Sequence, residues 1–401
     1  MHGMLCKLGI YGRAGAPVHN LAHALAHALA HALVYGWIRA SVQTSVQAAV
    51  QAAVKCSRVC RRGLALVVIL MGLFPAPAAL AEDMISSAVI FMYHRFGEST
   101  YPSTSVRMAQ FESHLAEIAS GGYKVMALRD IIAAFRRQES LPDRTIALTV
   151  DDAFLSLHDR AWPLLKKSGL PFTLFVATDA IDAKRPGYMS WPQLRALAAA
   201  GVGIGSQTGS HPHLPNVAQT RLDDELTRSN ARFRAELGFA PELLAYPYGE
   251  FGLREKQAVR AAGFVAAFGQ HSGVAHSGED LFGLPRFAMN ERFGDVERFR
   301  LAGNGLPLPV SDVLPADTVI RHNNPPDFGF TVAKDIGTLH NLACFASNQS
   351  GAAQLERLGA RRFEVRLEKP FAAGRGRINC TLRAKDNRWR WFGTQFYIPK
   401  R

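Results

Sequence analysis

The chain has 401 residues, 48% of them apolar and 20% charged, with 46 Lys and Arg against 33 Asp and Glu. That length and apolar share exclude a disordered chain or a disulfide-stapled miniprotein, and allow a sizeable core with more than one domain. The formal charge of +13 does not indicate a nucleic-acid partner, because no basic stripe with interleaved aromatics accompanies it.

Residues 1–81 contain no Asp or Glu. Positions 1–60 read as a low-complexity leader. Leu-Ala-His-Ala repeats set His19, His23, His27 and His31 at i, i+4 spacing, and a second four-residue repeat runs through Val46, Val50 and Val54. Such repeats ahead of an ordinary signal peptide point to a mis-called start codon. Positions 61–81 have the signal-peptide order: Arg61-Arg62, an apolar run over 63–74, then Ala79-Leu80-Ala81. The apolar run is short for a membrane span, so an uncleaved anchor is the weaker reading. Export to the periplasm or cell envelope is expected, with peripheral envelope association. Seven of the 46 basic residues lie in this leader, leaving 39 against 33 acids, about +6, which suits a neutral or anionic glycan.

From position 86 onward short β-type runs alternate with helical patterns. The strands are expected at 89–92, 145–149, 172–176, 203–205, 243–246 and 265–268. The helices are expected at 108–120, 128–137, 161–167, 191–200, 221–237 and 253–262. In the first helix Phe111, Leu115 and Ile118 form the apolar stripe, with His114 beside it. This alternation argues for a parallel sheet.

The chemistry-bearing residues fall at the ends of those strands, the edge where α/β folds assemble their sites. The run 145–150 closes on Asp151-Asp152. Two adjacent carboxylates repel unless a cation or shared proton relieves them. One reading makes one of them a metal ligand and the other a base; the other reading makes Asp152 a helix cap and Asp151 an exposed acid. About fifty residues on, strand 203–205 runs into a loop bearing Gln207, His211 and His213. Imidazole nitrogen with carboxylate oxygen is a usual set for zinc-like ions, and a solvated loop is the plain alternative.

After about residue 305 the texture changes. Leu306-Pro-Leu-Pro, Pro315 and Asn323-Asn-Pro-Pro326 read as a linker over 306–326. Beyond it, 327–401 reads as a small all-β, sandwich-like domain with strands near 363–367, 376–382 and 389–399 and a turn at Lys385-Asp-Asn387. Trp389 and Trp391 share one strand face, to grip sugar or to pack. Cys344 and Cys380 are the two cysteines beyond the leader, and an oxidising compartment favours a disulfide between them over free thiols.

Taken in order, these motifs resemble the polysaccharide deacetylases, the NodB-homology group of carbohydrate esterase family four. Thr149-Val-Asp-Asp-Ala-Phe154 is similar to that family's Thr-Phe-Asp-Asp-Gly, Gly205-Ser-Gln-Thr-Gly-Ser-His211 to Gly-Ser-His-Thr-x-x-His, and Ala245-Tyr-Pro-Tyr-Gly249 to Arg-x-Pro-Tyr-Gly. Val89-Ile-Phe-Met-Tyr93-His94-Arg95, Gly122-Tyr-Lys-Val125, Ser190-Trp191 and Leu284-Pro-Arg286 agree as well, over about 86–305. A Tyr-His motif at the front of the domain resembles the poly-N-acetylglucosamine deacetylase subgroup.

The resemblance implies closure of the sheet into a distorted (β/α)7 barrel. It implies a divalent metal ion, zinc or similar, and removal of N-acetyl groups from an N-acetylglucosamine-containing polysaccharide. Residue by residue it makes Asp151 the base, Asp152 and His211 metal ligands, and His94 the general acid, imidazole being able to exchange protons near neutrality. Tyr248 would hold the oxyanion through its backbone N–H. Tyr93, Trp191 and Tyr246, beside the motifs, would stack on sugar rings. Two positions depart from the pattern. Gln207 stands where a histidine ligand belongs, with His213 a substitute, and Ala245 replaces an arginine whose place Arg286 would take. A glycan-binding or export-complex subunit on the same fold, or a peptidoglycan deacetylase, is the alternative.

Overall fold

The computed structural model describes residues 85–400; the expected leader (1–60) and signal peptide (61–81) lie outside the described residues. Strands β1 (Ser87–Tyr93), β2 (Thr145–Asp151), β3 (Phe172–Val176), β4 (Gly203–Ser206), β5 (Leu243–Ala245) and β6 (Ala266–Phe268) pair in that order, each parallel to the next. A short β7 (Phe287–Ala288) runs parallel to the outer edge of β1, and Leu284, just before it, bridges Phe268 of β6. The segment 284–288 therefore closes the ring, a distorted barrel of seven parallel strands. All seven residues of β2 are buried, as expected for a strand covered on both faces.

Helices α1 (Met108–Ser120), α2 (Leu128–Arg137), α3 (Trp191–Ala199), α4 (Gln219–Leu237), α5 (Leu253–Ala261) and α6 (Val296–Gly303) surround the barrel. Five lie within two residues of their expected bounds, a short helix at Trp162–Lys167 meets the expectation for 161–167, and α6 has no counterpart among the expected helices. The buried face of α1 is Phe111, His114 and Ile118, with Leu115 only partly covered. His114, expected beside the stripe, sits at its centre. A carbonyl cannot donate, so His114 Nε2–H donates to Gly294 O (2.8 Å), and its Nδ1 accepts from the Tyr93 hydroxyl (3.0 Å). Burial pushes the His114 imidazole down to about 4. Around this pair Phe96, Phe111 and Phe299 pack ring to ring; each fully buried ring contributes roughly 1.5–3 kcal/mol.

The C-terminal part is a sandwich of two four-stranded sheets. They are built from β8 (Leu306–Pro307), β9 (Val310–Leu314), β10 (Phe328–Val332), β11 (Ala343–Ala346), β12 (Gln354–Leu358), β13 (Arg362–Arg366), β14 (Gly374–Arg383) and β15 (Trp389–Ile398). The strand orders are β8-β15-β14-β11 and β9-β10-β13-β12. Along β14, Gly376, Ile378, Cys380 and Leu382 alternate inward toward Phe328, Phe330 and Phe363. Cys344 and Cys380 stand directly opposite on β11 and β14 and are disulfide-bonded. The turn expected at 385–387 joins β14 to β15, with Asn387 in the left-handed region that asparagine tolerates.

The expected linker is corrected: 306–326 supplies β8 and β9, so the sandwich begins before position 327. β8 lies at a sheet edge, where a proline's missing N–H is tolerated.

Candidate functional site

The parallel strands deliver their carboxyl ends to one mouth of the barrel. His94 follows β1, Asp151 ends β2 with Asp152 just after it, Gln207 follows β4, and Tyr248 follows β5. Of the eleven non-glycine residues with positive φ among those described, five cluster here: Asp152, Ala153, Thr208, His211 and Tyr248. Left-handed backbone in non-glycine residues persists only where surroundings over-determine it, and it concentrates at functional sites.

Asp151 is fully buried. Arg286, equally buried, grips both its oxygens, with Nη1–Oδ1 at 2.7 Å and Nη2–Oδ2 at 2.8 Å. The guanidinium is itself held, donating to Gly269 O (2.9 Å) and the Thr149 hydroxyl (3.2 Å) with its carbon 5.3 Å from the Phe175 ring centroid. On the cleft side, His94 Nε2 lies 3.9 Å from Asp151 Oδ2, and the His94 side chain is 13% exposed. A fork-held carboxylate facing a partly exposed imidazole is a pair suited to moving protons.

Asp152 points the other way, toward His211, with Nε2–Oδ1 at 3.6 Å. Burial lowers the His211 imidazole below its ordinary value, against the raising pull of Asp152 and Asp151. The neutral form keeps a nitrogen lone pair. Two ligands on one tetrahedral ion at about 2.0–2.2 Å stand roughly 3.4 Å apart, so Asp152 and His211 fit as two donors for a divalent cation.

The other two expected metal donors are corrected. Gln207 is fully buried, and its Oε1 accepts the Asp152 backbone N–H at 2.9 Å. Its amide nitrogen is buried with no hydrogen-bond partner. The side chain thus braces the left-handed turn at Asp152 (φ 74°). His213 gives its Nδ1 to Glu250 Oε2 at 2.6 Å and stacks flat on Tyr248, centroids 4.1 Å apart. Among the described residues no cluster of three or more His, Cys, Asp or Glu is arranged to hold a metal.

Three expected sugar-stacking aromatics are also corrected. Tyr93 is buried with its hydroxyl on His114, and Tyr246 is buried with its hydroxyl donating to Phe282 O at 3.0 Å. Trp191 starts α3, packs edge-on to Phe233 and donates to Asp182 at 2.7 Å. Alternation along a short buried strand turns residues beside a motif inward as readily as outward, which adjacency in sequence cannot reveal.

Aromatic surface at the mouth comes from elsewhere. Half-buried Tyr188 packs on Phe154, centroids 4.8 Å apart, and its phenol is raised by burial and then by the Asp152 charge. Arg95 lies against both Phe154 (3.3 Å) and Tyr101 (4.1 Å). Tyr248 is half-buried, its edge to His211 at 4.6 Å. Burial raises the Glu250 carboxyl, with His213 pulling it back. Glu250 directly follows the Pro-Tyr-Gly motif and was findable there; Tyr188 sits two residues before Ser190-Trp191.

Comparison with known proteins agrees with this geometry. Residues 138–267, which hold β2 to β5 and the start of β6, match the family model for polysaccharide deacetylase. The chain is 22% identical over 197 residues to the protein YxkH of Bacillus subtilis, covering 49% of this chain and 69% of that one. It is 20% identical over 217 residues to poly-beta-1,6-N-acetyl-D-glucosamine N-deacetylase of Staphylococcus aureus, covering 50% and 73%. The solved structure of IcaB from Ammonifex degensii superposes with a TM-score of 0.51 at 22% identity, covering 55% of this chain and 98% of that one, and shares the fold. The barrel, the paired Asp151-Asp152 at its mouth and the matched segment together identify a polysaccharide deacetylase domain within this chain, matched over residues 138–267.

Proposed function

We propose that the chain hydrolyses acetamide groups on an N-acetylglucosamine polymer, with an exopolysaccharide or chitin-like chain as substrate and peptidoglycan as the second choice. The observation that carries this is the buried Asp151, oriented by the Arg286 fork with one oxygen 3.9 Å from His94 Nε2. The S. aureus relative, by its name, acts on poly-beta-1,6-N-acetyl-D-glucosamine, which supports the choice of polymer. Export before action fits the basic, apolar and small-residue succession at 61–81 and the disulfide in the sandwich, and is consistent with peripheral envelope association.

In this reaction the amide C–N bond breaks and a C–O bond forms, releasing acetate and an amine. Asp151 takes the proton of the attacking water, because Arg286 leaves its carboxylate a single orientation facing the cleft. The Tyr248 backbone N–H receives the developing oxyanion. His94 gives a proton to the departing amine. A divalent ion held by Asp152 and His211 would polarise the carbonyl and activate the water. Tyr188, backed by Phe154, and Tyr248 provide the faces on which pyranose rings stack.

Acetate release from N-acetylglucosamine oligomers tests this reading, with Asp151→Asn and His94→Asn as controls and a chelator as a further arm. Release that is chelator-sensitive and lost in Asp151→Asn is expected. No release by the wild-type protein defeats the enzyme reading. A second reading, a glycan-binding subunit, is favoured by one observation: Gln207 gives its carbonyl to the Asp152 backbone. That reading expects oligomer binding by calorimetry without turnover.

A further inference from the structure

Strand β15 uses its two faces for two different jobs. Phe392, Phe396 and Ile398 point into the sandwich core. The alternate residues meet the barrel. Trp391 sets its ring edge-on to Phe287 at 5.1 Å. Gly393 comes so near the barrel loop that a Cβ there would lie 2.0 Å from Ser272 O, so only glycine fits. The Tyr397 hydroxyl bonds Asn216 Nδ2 at 2.6 Å, and its ring lies 6.2 Å from His213. Between Gly393 and Tyr397 sits Gln395, 4% exposed.

Gln395 Nε2 donates to two successive backbone carbonyls, Tyr248 O at 3.1 Å and Gly249 O at 2.8 Å. Its Oε1 accepts from Arg377 Nε at 3.0 Å, which fixes which end of the amide faces the turn. The turn it grips is strained: Tyr248 has φ 59° and Gly249 φ 68°. A non-glycine residue held there costs about 1–2 kcal/mol and needs contacts that over-determine it. Gly249 also has no room for a side chain, since a Cβ would lie 2.5 Å from Gln270 N.

We infer that Gln395, on the C-terminal sandwich, is a positioning residue for the deacetylation site: it fixes the two peptide planes after Tyr248 and so aims the Tyr248 backbone amide. This rests on the deacetylase reading above. The sandwich is then a wall of the catalytic centre rather than a separate sugar-binding module, and its strand β15 carries the link.

The test uses the full chain with Gln395→Met, close in shape but without the amide. Two quantities are read: kcat and KM for acetate release from an N-acetylglucosamine pentamer, and amide hydrogen exchange of the peptide covering 246–250. The expected result is a kcat lower by about tenfold or more, KM within about twofold, and faster exchange at 246–250 with sandwich peptides unchanged. Wild-type kcat, or unchanged exchange at 246–250, overturns the inference. If Gln395→Met fails to fold, Arg377→Met carries the test, with the same direction and a smaller effect. If the wild-type protein releases no acetate, the deacetylase reading fails on its own, and the exchange measurement alone decides whether Gln395 holds the turn.

Discussion

Arg286 and Asp151 are 135 positions apart in sequence, yet they form two parallel hydrogen bonds of 2.7 and 2.8 Å with neither side chain exposed. β7, which carries Arg286 in at its start, closes the barrel against β1, while β2 ends on Asp151. Barrel closure and the arming of the carboxylate are thus one event. Arg286→Met leaves a buried carboxylate unpaired and is expected to cost about 3–5 kcal/mol in urea unfolding. The double variant Asp151→Asn/Arg286→Met recovers part of that stability and stays inactive. Arg286→Lys keeps the charge but not the fork, and its kcat/KM should fall at least roughly tenfold; wild-type kcat/KM in that variant would show the fork to be dispensable.

The donor geometry assigns metal affinity unequally between two nearby histidines. His211 faces Asp152, whereas His213 faces Glu250 and Tyr248. In zinc titrations of the purified protein, His211→Ala is expected to weaken binding by more than about tenfold. His213→Ala should stay within about threefold of wild type, and equal losses in both would contradict the assignment. Gln207→His should raise affinity by adding an imidazole donor. Gln207→Ala leaves the Asp152 N–H without its acceptor and should cost about 1–3 kcal/mol of stability.

Tyr93 and Tyr188 exchange the roles that sequence position suggests. Tyr93→Phe removes the donor to His114 Nδ1 and is expected to lower stability by about 1–3 kcal/mol with KM unchanged. Tyr188→Ala, at the mouth beside Phe154, should raise KM for oligomers with little effect on unfolding. A raised KM in Tyr93→Phe would restore that residue to the cleft.

Acid should act on the core through His114, His271 and His276, whose imidazoles burial lowers to about 4, 3 and 4. The ordinary value is about 6.5, so between pH 6.5 and 4 the unfolded chain binds more protons than the folded one. Stability is therefore fully present above pH 6.5 and is lost as pH falls through that window. For His114, a drop from 6.5 to about 4 corresponds to a loss on the order of 3 kcal/mol. Chemical unfolding at a series of pH values reads the slope, which should flatten in His114→Gln; an unchanged slope would mean that His114 is already charged at pH 6.

Much of the scaffold was legible because periodicity and strand-end chemistry are local. β3 begins and ends where its apolar run does, and α1 and α2 span the expected residues. The Asp151-Asp152 pair announced a site because two adjacent carboxylates at a strand end need a reason. The linker reading of 306–326 went wrong because proline content describes the chain's local freedom, and an edge strand tolerates the same residues.

The sequence by itself therefore determined the alternation of strands and helices, the resemblance to the polysaccharide deacetylases, and that His94, Asp151, Asp152, Gln207 and His211 fall at strand ends. The tertiary structure alone decided which of them face one another: Arg286 to Asp151, His211 to Asp152, Gln207 to the Asp152 backbone, His213 to Glu250, and Gln395 to the Tyr248 turn. The physical reason is range. Hydrogen-bonded periodicity is set by residues three or four apart, or by alternation along one strand, whereas the orientation of a side chain at the mouth is set by whichever partner barrel closure and the docking of β15 bring to within about 3 Å of it.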